Sequence, residues 1–157
     1  MKKMSSLVIL LFCFTLATFG QQAKNEIAPF KIRLVDGTGF TVKQLVKNKP
    51  TILIYFLPDC AECKAFTAAL CQRLKALQSQ QIIMVTYEDI KSVIDFDRQF
   101  QLSKHKNIKI GSEGYTFIVQ KYYGISHFPF VVKYGKNGKL VKILSSDLSP
   151  KEKAAQL

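Results

Sequence analysis

Histidine is nearly missing from this chain of 157 residues: only His105 and His127 occur. With the cysteines they offer no second pair at metal-ligand spacing, so a four-ligand zinc centre lacks donors and no metal is expected. No apolar run reaches the roughly 20 residues a helix needs to span hydrocarbon; the longest, Leu7 to Phe19, falls short. Repeats and low-complexity segments are absent, which excludes solenoid architectures. Acids are scarce as well, 11 against 23 basic side chains, for a formal net charge of +12. Such a balance suits nucleic acid, an anionic membrane surface or acidic partners. Yet Lys104, Lys106, Lys109, Lys121, Lys133, Lys136, Lys139 and Lys142 are dispersed, and no arginine-rich block or basic-aromatic interleaving occurs. The pattern reads as a solvated basic surface, and no nucleic-acid partner is expected.

The chain is one domain's worth of residues, enough to bury a real core. Its first twenty read differently: Lys2 and Lys3, the apolar run, then Gly20 and the polar Gln21-Gln22-Ala23-Lys24. This is the order of a secretory signal peptide, with Thr18 and Gly20 as small residues before the cut. Residues 1–20 are therefore expected to direct export and be removed, 21–28 to form a flexible leader, and 29–157 to fold as a monomeric domain that meets a membrane only during export. Cys13 lies behind Phe12, not behind a small residue, which argues against lipoprotein-type acylation. The short lysine-rich start points to a bacterial envelope, the periplasm being the expected location. Removing residues 1–20 leaves 21 basic and 11 acidic side chains, a net charge of +10. Outside the cytoplasm disulfides persist. Three cysteines then remain, and Cys71, among Leu70, Leu74 and Leu77, reads as a buried apolar filler.

Phe30, Ile32 and Leu34 alternate with Lys31 and Arg33 as a half-buried strand does, and Asp36-Gly37-Thr38-Gly39 supplies a turn. Phe40 to Lys47 reads as a short strand end followed by one or two helical turns. Thr51 to Leu57 is a nearly continuous apolar run, the mark of a central strand covered on both faces. Pro58 ends it. The spacing then turns helical through Cys63, Phe66, Leu70, Leu74 and Leu77. Ile82 to Tyr87 predicts another strand, Ile90 to Phe100 a second helix, and Asn107 to Ile110 a short strand before Gly111. Tyr115 to Tyr123 predicts a helix stopped by Gly124. Phe130 to Tyr134 and Leu140 to Leu144 form a hairpin with an Asn137-Gly138 turn. Ser149, Pro150 and Glu152 begin a final helix with a capping box. Strands alternating with helices, then a hairpin and a helix, imply an α/β fold around a mixed sheet.

The switch in period puts Cys60 and Cys63 at a strand-to-helix junction. Thiols at i and i+3 of a first helical turn share a face and can join with little backbone movement. The helix N-terminus adds unpaired N–H groups and a positive dipole end, which favour the thiolate of the outer cysteine. Cys60 is then the attacking nucleophile and Cys63, one turn deeper, resolves the mixed disulfide. Half of a zinc site, two incidental core cysteines, and a structural disulfide across so short a loop remain competing readings.

The stretches "TILIYFLPDCAECKAF" and "YYGISHFPFVVKYGKNGKLVKIL" resemble the thioredoxin superfamily, specifically exported thiol-disulfide oxidoreductases of the TlpA and ResA type. "FKIRLVDGTGFTVKQL" is similar to the N-terminal strand or hairpin extension of that branch, so the likeness covers most of residues 28–148. It implies a thioredoxin-like α/β fold with a mixed sheet flanked by helices, a cis Pro129 facing the disulfide, and partner binding along Phe128, Asp59, Ala61 and Glu62. An X-Pro bond tolerates cis at modest cost, and a partner's extended segment can pair with the Phe128 backbone.

The departures from that family bear on mechanism. The chain has no tryptophan, and Asp59 stands where members usually carry one. Ala61-Glu62 replaces the familiar Gly-Pro or Pro-His. Two acids beside Cys60 disfavour its thiolate and with it the reduced form, which points to a reductant. Ile54 occupies the place of a buried acid and Phe66 that of a glutamate found in cytochrome c maturation members, leaving Glu62 and Glu88 as candidate proton acceptors for Cys63. The reading is an exported oxidoreductase without dissociable cofactor, exchanging its disulfide with cysteine-containing exported proteins and drawing on an upstream electron donor. One alternative is a binding module or metallochaperone using both thiols and His127 on a soft ion. Another is a peroxide-reducing enzyme, which would need a Thr and Arg environment that the residues around Cys60 do not supply.

Overall fold

The structure is a computed structural model describing residues 25–157; the expected signal peptide and residues 21–24 lie outside the described residues. Seven strands form one sheet in the order β2-β1-β5-β4-β3-β6-β7. They are β1 (Lys31–Leu34), β2 (Gly39–Thr41), β3 (Thr51–Tyr55), β4 (Gln81–Thr86), β5 (Ile108–Ser112), β6 (Phe130–Tyr134) and β7 (Leu140–Ile143). Strands β3, β4 and β5 are parallel and the other pairings antiparallel, so the sheet is mixed as expected. Among the described residues four helices flank it: α1 (Ala61–Cys71), α2 (Ile90–Phe100), α3 (Ile118–Tyr123) and α4 (Pro150–Ala155).

Strand β3 is buried at every position, as its unbroken apolar run requires. Ile52, Ile54 and Phe56 face a cluster with Cys63, Phe66 and Leu70 of α1, Val93 and Phe96 of α2 and Ala154 of α4. Leu53 and Tyr55 face the opposite cluster, with Phe30, Ile32, Phe40, Val119 and Tyr123. The period-2 alternation of a strand thus divides one short run between two cores. On the second face the Tyr123 hydroxyl meets that of Tyr134 at 2.6 Å and accepts the Ala28 N–H at 3.0 Å. Tyr134 and Tyr122 both donate to the Glu26 carbonyl, at 2.9 and 3.0 Å. These bonds pin the end of the leader to the domain.

Strands β3, β4 and β5 run the same way, so the residues after Tyr55, Thr86 and Ser112 emerge on one edge of the sheet. Antiparallel β6 begins there too, with Phe130 opposite Tyr55. Ligands of open α/β sheets bind at this carboxyl edge.

Three boundaries differ from expectation. Helix α1 ends at Cys71, and Leu74 and Leu77 reach the core from a run of turns whose N–H groups bond three residues back, Leu77 to the Leu74 carbonyl at 3.1 Å. The apolar spacing survives in those tighter turns, which is why it reads as a longer helix. Between Tyr115 and Tyr123 the helix is broken: residues Gly114–Thr116 form a 3-10 turn, Phe117 adopts a left-handed conformation (φ 52°), and only Ile118–Tyr123 is α-helical. Gly124 caps it at φ 64° as expected. Gly111 lies inside β5, not after it. A Cβ there would overlap the Arg33 carbonyl where β1 crosses β5, so Gly111→Ala should cost about 1–3 kcal/mol in denaturant unfolding, against about 0.5 or less for Gly39→Ala in open space.

Candidate functional site

Pro58 stops β3, and the Cys60 N–H closes a turn on the Leu57 carbonyl at 3.2 Å. Cys60 then adopts extended backbone (φ −70°, ψ 122°) and becomes the N-cap of α1. Its sulfur accepts the Cys63 N–H at 3.2 Å, and its carbonyl accepts the Lys64 N–H at 3.0 Å. The capping atom of the helix is therefore a thiol sulfur, held where the dipole end favours negative charge. Both thiols are free, Cys60 partly exposed and Cys63 fully buried in the cluster that holds Ile54, Phe56 and Phe66. Burial pushes the Cys63 thiol far up, and the adjoining Cys60 sulfur adds to the effect. The spacing Cys-x-x-Cys thus yields two unlike thiols, one reachable and one shielded.

The Phe128-Pro129 bond is cis, as the family resemblance implies. Pro129 is buried and Phe128 half-buried, with its ring stacked on Tyr55 at 6.0 Å and 28°. Lys153, only 3% exposed, donates to the Pro129 carbonyl at 3.3 Å, tying α4 to this turn. Asp59, Ala61 and Glu62 are exposed around Cys60. Asp59 is met by Lys64 Nζ at 3.8 Å, a solvent-facing pair of little energetic weight. Of the two acids expected as proton acceptors, Glu62 is close enough for its charge to push the Cys63 thiol further up. Glu88 sits on the turn after β4, where its carbonyl accepts the Ser112 hydroxyl. His127 is exposed, its Nδ1 2.9 Å from Ser126 Oγ, and lines a cavity of about 330 Å³ with Pro129, Leu144 and Ser145. Among the described residues no three His, Cys, Asp or Glu side chains gather as a metal ion would require, and no helix is long and apolar enough to cross a membrane. Cys71 is half-buried and its thiol is pushed up by burial.

Sequence reading missed Glu113. It is 6% exposed, with one carboxylate oxygen accepting the Tyr55 hydroxyl at 2.6 Å and the other the Val119 N–H at 3.0 Å. Burial, with this carboxylate beside it, pushes the Tyr55 phenol far up. A single acid following an apolar strand has no periodic signature, so only the return of α3 over β3 reveals its role. Through Tyr55 it supports the ring on which Phe128 rests.

No protein-family model matches the chain, and no curated protein does. Among solved structures it is similar to a secreted Mycobacterium tuberculosis disulfide oxidoreductase homologous to E. coli DsbE, at 20% identity over 82% of this chain and 96% of the other, TM-score 0.64. It is also similar to the peroxidoxin BcpB of the same organism, at 13% identity over 85% and 91%, TM-score 0.70. The exposed lipoprotein thioredoxin Etrx1 of Streptococcus pneumoniae matches at 21% identity over 83% and 100%, TM-score 0.58. The fold is thioredoxin-like.

The elevated Cys63 thiol sets a kinetic expectation. If Cys60 is loaded as a mixed disulfide with thionitrobenzoate, release of the coloured thiol by Cys63 should accelerate about tenfold per pH unit from roughly 7 to 9, tracking the rising thiolate fraction. A plateau already at neutral pH would show Cys63 to be ionised there.

Proposed function

We propose that this protein is a thiol-disulfide oxidoreductase that works outside the cytoplasm and reduces disulfides of other exported proteins. The observation that carries the reading is the asymmetry of the pair: a reachable Cys60 sulfur capping α1, and a shielded Cys63 whose N–H bonds that same sulfur. The Cys60 thiolate attacks one sulfur of a partner disulfide, and the partner's other sulfur leaves as thiolate and takes a proton. Cys63 then loses its proton and attacks Cys60 Sγ, expelling the partner's second thiol. The partner gains two electrons and two protons, and Cys60–Cys63 becomes a disulfide. An upstream dithiol donor returns the pair to the reduced state, and no dissociable cofactor takes part.

Pro129 and Phe128 lead into β6, whose Phe130 pairs with Tyr55 at the end of β3, and there the Phe128 backbone offers an extended partner segment a place to pair. Asp59, Ala61 and Glu62 form the exposed rim that the partner meets. Two acids on this rim, Asp59 and Glu62, support the reducing direction, although Lys64 offsets Asp59 in part. The exported nature of two similar proteins, one secreted and one an exposed lipoprotein, supports location outside the cytoplasm, as does the signal-like order of residues 1–20. A metal-carrying use of the thiols would need His127 as a third donor, and among the described residues no three His, Cys, Asp or Glu side chains gather as a metal ion would require.

Equilibration in dithiothreitol or glutathione buffers, followed by alkylation and mass counting, tests the reading. One reversible two-electron transition of Cys60 and Cys63 is expected at or below about −200 mV, with Cys71 alkylated throughout; a value near −120 mV would reverse the direction. Absence of the disulfide at every poise would overturn the function. Cys63→Ser should accumulate the mixed disulfide with a partner, and Cys60→Ser should form none.

A further inference from the structure

Beside the thiol pair, the same edge of the sheet carries three aromatic rings that the exchange chemistry does not use. Tyr87 follows β4, and Tyr115 and Phe117 follow β5. Tyr87 and Phe117 lie 5.1 Å apart at 50°, and Tyr115 and Phe117 6.1 Å apart at 48°. Tyr115 is 79% exposed, the most exposed large apolar side chain among those described, and Ile118 beside it is 37% exposed. Core packing does not account for such exposure.

The backbone beneath the rings is held firmly. Phe117 is an aromatic residue at φ 52°, a conformation that bulky side chains rarely adopt. Its carbonyl accepts the Lys121 N–H at 2.9 Å. Glu113 grips both sides of it, accepting the Val119 N–H with its carboxylate and the Thr116 hydroxyl with its carbonyl. The rings are thus presented by a fixed loop, and tyrosine and phenylalanine give large contact area at low cost in side-chain entropy.

We propose that Tyr87, Phe117 and Tyr115 form a ledge that receives an apolar side chain of the client polypeptide about three residues from its reacting cysteine. The inference rests on the exchange reaction proposed for Cys60. The spacing follows from the sheet order: β5 is two strands from β3, about 10 Å at strand separations of roughly 4.8 Å, and an extended chain covers that in about three residues. A segment joined to Cys60 and paired with Phe128 on the β6 side continues across β4 towards this ledge. Lys121 Nζ, 5.8 Å from the centre of the Phe117 ring, disfavours a cationic client residue there and leaves aliphatic and aromatic ones preferred.

The test uses synthetic peptides carrying one cysteine as a mixed disulfide with glutathione, with phenylalanine two, three or four positions from it on either side, or serine throughout. Reduced protein should favour phenylalanine at three positions on one side by about tenfold in kcat/KM, through KM, as one well-placed aromatic contact provides. Tyr115→Ser with Tyr87→Ser should abolish that preference while glutathione disulfide is reduced within about twofold of the unsubstituted rate, which reports an intact fold and thiol pair. Tyr115→Ser alone, at the exposed position, should lower the preference without disturbing folding. Retention of the full preference in these variants, or no dependence on phenylalanine position in the unsubstituted protein, overturns the ledge. Failure of the unsubstituted protein to reduce glutathione disulfide overturns the exchange reading and the ledge together.

Discussion

Everything at the reactive edge depends on β3 being buried on both faces and hydrogen-bonded along both sides. With β4 on one flank and β6 on the other, the strand has no freedom to shift. Its terminus therefore fixes where Pro58 turns the chain and where Cys60 caps α1. The sulfur's acceptance of the Cys63 N–H replaces the oxygen that an ordinary capping residue would supply. Stability of the helix start and reactivity of the thiol are consequently the same interaction, seen from the fold and from the chemistry.

The two sides of the strand contribute different things. Towards α1 the contacts are apolar, and this dry surrounding keeps Cys63 protonated and shielded. Towards α3 they are polar at the tip, where Tyr55, Glu113 and the Val119 N–H form a satisfied chain that ends under Phe128. A buried carboxylate is tolerated because both its oxygens are engaged. Change at Glu113 would reach the Phe128-Pro129 turn through a ring stack without touching either sulfur.

Strong local signals were legible in the sequence. The β3 run, the Asn-Gly hairpin, the Ser149–Glu152 capping box and the cysteine spacing each follow from a short-range rule, and each stands in the structure. The cis bond before Pro129 came from resemblance, since no local rule distinguishes it from an ordinary turn proline. What escaped were features made by distant segments meeting. Gly111 looks like a strand terminator until the Arg33 carbonyl is placed against it. Glu113 looks like a loop acid until α3 folds back, and the Phe117 break interrupts a spacing that otherwise reads as one helix.

The tyrosine bonds to Glu26 and Ala28 have a geometric corollary. Tyr134 ends β6 opposite Thr51, and Ile27 shares a cavity with Thr51, Gln81 and the Lys136–Gly138 turn. All of these sit at the pole where β3 begins, about 17 Å of strand away from the edge that carries the thiols. Any tether, tag or solid support joined ahead of residue 25 is thereby fastened to the rear of the molecule. Such an attachment leaves the thiol edge on the side of the domain turned away from its mooring.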